Sequence, residues 1–88
     1  MSQETIDLLH QKLAALNAQS IVIEDESHRH AGHAGAREGG HYKLSIVAAA
    51  FAGKNTLARH RVIYDVVGNL GALKIHALAI YAKAPGEV

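Results

Sequence analysis

His41-Tyr42-Lys43-Leu44-Ser45-Ile46-Val47-Ala48-Ala49 sets Tyr42, Leu44, Ile46 and Ala48 in alternation with Lys43, Ser45 and Val47. A period of two belongs to a β-strand, whose successive side chains point to opposite faces, so this stretch predicts a strand with one face buried. Upstream, Ile21-Val22-Ile23 is a β-branched run that favours a second strand, closing near Asp25. Joined by the residues between them, the two strands form a long hairpin and are expected to be antiparallel.

Helical spacing flanks this hairpin. Ile6, Leu9, Leu13 and Leu16 recur every three or four residues, which predicts a helix from about Gln3 to Leu16. Ser2 can cap it, Glu4 suits the positive end of its dipole, and Asn17 ends it. Phe51-Ala52-Gly53-Lys54 reads as a turn, after which Asn55 can cap a second helix. Ala58, Val62 and Val66 form a stripe there, with Ile63 and Val67 beside it. Gly68, Asn69 and Gly71 break this helix and leave one short turn before a third strand, Ile75 to Ala82. His76 is expected to share a face of that strand with Leu78 and Ile80, giving it a rigid apolar base. The order is α-β-β-α-(short helix)-β, an α+β fold with helices on one face of a three-stranded mixed sheet. The last strand follows a helical crossover, so it can lie parallel to a neighbour through a right-handed connection.

Composition bounds the rest. Eighty-eight residues, 49% apolar and 19% charged, with eight glycines and one proline, suit a single compact domain over residues 1–88, with a loose tail from about Ala84. The net charge of +1 creates no field that would itself attract nucleic acid, so any such binding must rest on a local patch. Cysteine is absent, which excludes a disulfide staple. No basic-then-apolar leader is seen, and the apolar stretches Ile46 to Ala52 and Ile75 to Ala82 are far shorter than the roughly 20 residues of a membrane helix. A cytoplasmic protein that does not enter the membrane is expected.

From Ser27 to Gly40 the apolar pattern stops, and a glycine-interrupted loop carries His28, His30 and His33, with His41 at its end. Imidazoles this dense point to metal chemistry. Without cysteine, iron or zinc would be held by nitrogen, or by sulfur from a partner. His28, His30 and His33 have the donors for an unaided zinc site with water as fourth ligand, but the glycines argue against preorganisation. His60, in the second helix between two arginines, reads as structural. No carboxylate pair, activated nucleophile or phosphate loop stands out, so no enzymatic turnover is expected.

Several of these segments together resemble the BolA family: Asp25-Glu26-Ser27, His30-Ala31-Gly32-His33, Gly40-His41-Tyr42, Phe51-Ala52-Gly53-Lys54, Arg59-His60-Arg61-Val62-Ile63-Tyr64 and Ile75-His76-Ala77-Leu78-Ala79-Ile80. The resemblance spans Asp25 to Ile80 and rests on the order and spacing of motifs that are individually weak. It implies a class II KH-like fold. It also implies a small adaptor that pairs with a monothiol glutaredoxin, as an apo complex or around a shared [2Fe-2S] cluster. The glutaredoxin and its glutathione would contribute thiolate, and this chain nitrogen. The family's strand histidine maps onto His76. Its loop ligand is here a histidine, with His33 favoured because a mobile loop can move to meet a partner, and His30 and His41 as alternates. Cluster delivery, iron regulation and stress response are the processes such a partner would serve, and the chain alone is expected to be a monomer without cofactor.

The rival that the same resemblance implies is transcription regulation by direct DNA binding. Lys54, Arg59 and Arg61 make a modest basic patch around the second helix. Arg59 and Arg61 lie about 200° apart on a helix, so one of them is expected to brace the fold. No Gly-x-x-Gly loop joins two helices as in RNA-binding KH domains, so weak, salt-sensitive DNA binding is the expected form of this rival.

Overall fold

A computed structural model describes residues 2–26 and 40–87. Helix α1 (Ser2–Leu13) runs into a 3-10 turn at Ala14–Leu16, followed by strands β1 (Ser20–Asp25) and β2 (Gly40–Val47). A 3-10 turn at Ala49–Phe51 leads to helix α2 (Thr56–Val67), a third such turn at Gly71–Leu73, and strand β3 (Ile75–Lys83). The sheet order is β1-β2-β3, with β1 antiparallel and β3 parallel to β2. The α+β architecture and mixed sheet read from periodicity are thus observed.

Local chemistry explains the boundaries. Asn17 ends the first helical segment in the left-handed conformation, φ 50°, which asparagine tolerates better than most residues. Asn55 caps α2 as its spacing implied: its side-chain oxygen accepts from the Ala58 N–H at 2.9 Å. Gly53, at φ 74°, supplies the turn that precedes the cap.

The core lies between the helices and one face of the sheet. Tyr42, Leu44, Ile46 and Ala48 are all buried, as the alternation required, and meet Leu9 and Leu13 of α1, Ile63 and Val67 of α2, and Phe51. The stripe of α2 is centred one position further on than expected, since Ile63 and Val67 are fully buried while Val62 and Val66 are only partly so. Thr5 is a buried polar residue of the core, and its hydroxyl donates to the Leu73 carbonyl at 3.2 Å. Tyr42 sits nearby with its phenol pKa raised, chiefly by burial.

The tail expected to be loose from Ala84 is instead held through Glu87. Ala84 is buried, its N–H donates to the Glu87 carboxylate at 3.0 Å, and the Glu87 N–H donates back to the Ala84 carbonyl at 3.1 Å. Among the described residues, no helix is long and apolar enough to cross a membrane.

Candidate functional site

One end of the sheet gathers the last residues of β1 and the first residues of β2 and β3. The Glu26 N–H donates to the His41 carbonyl at 2.7 Å, and the Gly40 N–H donates to the Lys74 carbonyl at 2.9 Å. Lys74 adopts φ 61°, a left-handed conformation that turns the chain sharply into β3.

At that turn the register of β3 slips. Gly40 pairs with Ile75, but His41 pairs with Ala77, so His76 is an extra residue opposite the Gly40–His41 step. An inserted residue of this kind reverses which side chains face the core and re-aims the one left over. The consequence is visible along β3: Ile75 is buried, Leu78, Ile80 and Ala82 are half-buried, and His76 and Ala77 are exposed. The expectation that His76 shares a face with Leu78 and Ile80 is therefore corrected, because strict alternation does not survive a bulge.

The bulge brings two imidazoles together. The rings of His41 and His76 lie with centroids 5.0 Å apart and planes inclined at 50°. Imidazole nitrogen binds metals at about 2.0–2.1 Å, so two rings sharing one metal have centroids on the order of 5 Å apart. The donor set and the spacing of this pair fit one iron or zinc ion. No group of three or more histidine, aspartate or glutamate side chains able to hold a metal occurs among the described residues. The sequence-predicted loop candidates His28, His30 and His33 lie outside the described residues.

The face of the sheet away from the helices continues from His41 through Lys43. The Lys43 ammonium lies 3.7 Å from the Glu24 carboxylate and 5.3 Å from the centre of the Tyr81 ring. These contacts are at the surface and hold the lysine without burying its charge.

The basic residues of the alternative patch are separated by their contacts. Lys54 and Arg61 are exposed, whereas the Arg59 guanidinium is mostly covered. Arg59 donates to the Lys54 carbonyl at 2.8 Å, to the Ala82 carbonyl at 3.0 Å, and through both terminal nitrogens to Glu87 at 2.6 Å each. Arg59 is thus the arginine that braces the fold. The guanidinium and the Ala84 N–H together lower the Glu87 carboxyl pKa to about 2. This clip had no sequence signal, since its partners are 28 residues apart and neither belongs to a periodic pattern.

The family model described as BolA-like protein matches residues 13–87. The SufE-like protein 1, chloroplastic/mitochondrial, of Arabidopsis thaliana is 42% identical over 79 residues, a match covering 83% of this chain and 21% of that protein. The DNA-binding transcriptional regulator BolA of Escherichia coli is 35% identical over 68 residues, covering 77% of this chain and 63% of that protein. The chain therefore spans only part of the length of these relatives. In three dimensions it is similar to BolA1 from Arabidopsis thaliana, with a TM-score of 0.79 and 33% identity, covering 96% of this chain and 95% of that one.

Proposed function

The chain belongs to the BolA-like protein family, and from that premise we propose that it is a non-enzymatic iron-sulfur adaptor. Its partner is a monothiol glutaredoxin, with which it shares a [2Fe-2S] cluster. His76 supplies one imidazole. His41 is the second ligand that the geometry favours, ahead of His33 and His30, which the sequence alone had ranked first and second.

The observation that carries this reading is the 5.0 Å approach of the His41 and His76 rings where β2 and β3 begin. A [2Fe-2S] cluster bound by mixed thiolate and imidazole has a higher potential than one bound by thiolate alone. The roles of this chain's residues follow from their positions. The bulge turns the His76 ring outward, and the pairing of β2 with both neighbours fixes the backbone that carries His41. Both must be neutral to donate a lone pair, so the site is open to competition from protons. Two nitrogen donors without cysteine leave the remaining ligands to the partner and its glutathione, which makes the complex the functional unit.

The test is anaerobic mixing with a cluster-loaded monothiol glutaredoxin, read by visible circular dichroism and by size. A new spectrum that His76→Ala abolishes supports shared ligation. Absence of both a complex and a spectral change rejects it.

Direct DNA binding is a second reading, supported by the name of the Escherichia coli relative and by the exposed cations Lys54 and Arg61 near the start of α2. With the Arg59 guanidinium engaged by Glu87, two phosphate contacts remain, so affinity would be low and salt-sensitive. Lack of measurable binding to duplex DNA at physiological salt would remove this reading.

A further inference from the structure

The other end of β3 carries a feature that cluster sharing does not use. A cleft of about 340 Å³ lies between the first turns of α2 and the last residues of β3, lined by Arg59, His60, Ile80, Tyr81 and Lys83 among others. Among the described residues, the acidic side chain beside it is Glu87, which is held by the lining Arg59.

The cleft runs beside an unpaired strand edge, because β3 is the last strand of the sheet. Ala48 donates to the Lys83 carbonyl at 3.0 Å, so that carbonyl faces the β2 side. The Ala82 carbonyl faces the opposite way and accepts from Arg59. By the same alternation, the N–H and C=O groups of Leu78 and Ile80 point out from the free edge, where no described strand pairs with them. Such a row of backbone groups is a template for an added strand.

Charge identifies what would add. The Arg59 fork already holds a carboxylate in bidentate geometry, supplied by the chain's own Glu87. Lys83 is exposed and His60 half-exposed on the same cleft. We propose that the cleft between α2 and the free edge of β3 docks an extended acidic segment of a partner protein, and that Glu87 occupies its carboxylate position in cis. The incoming segment pairs with the edge at Leu78 and Ile80, and its acidic side chain takes the place of Glu87 on Arg59 with support from Lys83. Glu87 thereby sets a threshold, since a partner must outcompete a tethered carboxylate. The carboxylate position on Arg59, beside Ala82 and Lys83, lies toward the end of β3, whereas His76 stands at its start.

The probe is a fluorescently labelled alternating Val-Glu hexapeptide, with a Val-Lys hexapeptide as its charge-reversed control, titrated by anisotropy at low salt. The Val-Glu peptide is expected to bind, several-fold more tightly to Glu87→Gln than to the wild type, and to be lost in Lys83→Glu. Circular dichroism confirms folding of both variants, and Lys83→Glu leaves the clip residues themselves in place. Amide chemical-shift changes on binding should centre on Leu78 and Ile80. Equal binding of the two peptides, no gain in Glu87→Gln, or shifts centred on His41 and His76 would overturn the proposal. So would a peptide-free dimer with protected β3 amides, which would make a second copy of the chain the occupant.

Discussion

The two ends of β3 resolve their polar groups in opposite ways. At its start, a bulge turns His76 out of the sheet and sets it beside His41, an imidazole pair without the further donors of a complete metal site among the described residues. At its finish, Arg59 is consumed by three carbonyl and carboxylate partners, and Glu87 by the guanidinium and a backbone N–H. The difference is one of closure: among the described residues the histidine pair gains no third metal-binding side chain, whereas Arg59 and Glu87 close on each other. Basic or imidazole character is equal in sequence at both ends; only the surroundings tell them apart.

The sharpest way to break the contrast is His76→Ala. The adaptor reading expects complete loss of the shared-cluster spectrum with a change in unfolding free energy within about 0.5 kcal/mol, because the side chain is exposed. Substantial destabilisation in denaturant unfolding would instead make His76 a structural residue. Next, His41→Ala should alter the cluster spectrum more than His33→Ala or His30→Ala. The reverse ranking would return the second ligand to the loop.

A smaller effect concerns DNA. If Lys54 and Arg61 are the only phosphate contacts, the slope of log affinity against log salt should be about −2, falling to about −1 on removal of either. A slope unchanged in Lys54→Ala and Arg61→Ala would remove the α2 patch from consideration. The smallest effect is that of acid on the clip. Because the folded Glu87 pKa lies below its ordinary value, at about 2, the clip stabilises the folded chain above the ordinary carboxylate range and loses that contribution as pH falls toward 2. Carboxyl titration followed by NMR should place the Glu87 midpoint near that value. A Glu87 midpoint in the ordinary range would mean that the two ends are less different than their geometry implies.

Much of the frame was legible beforehand because it rests on local rules. The alternation of Tyr42, Leu44, Ile46 and Ala48 gave the buried face of β2, and Asn55 gave the start of α2. His76 was picked out by its motif, yet its orientation was misjudged, since periodicity assumes an unbroken strand and a single inserted residue inverts it. The tail was misjudged because Glu87 is held by Arg59, 28 residues away, a contact no local rule signals.

The sequence by itself determined the order of elements, the faces of the early strands, the helix cap and the family, all of which depend on neighbours a few residues apart or on the spacing of motifs. Only the tertiary structure decided that His41 meets His76, that Arg59 pairs with Glu87, and that no described strand pairs with the outer edge of β3. Those outcomes turn on the register between strands and on contacts between distant segments, which are selected by how the whole core packs and leave no periodic trace along the chain.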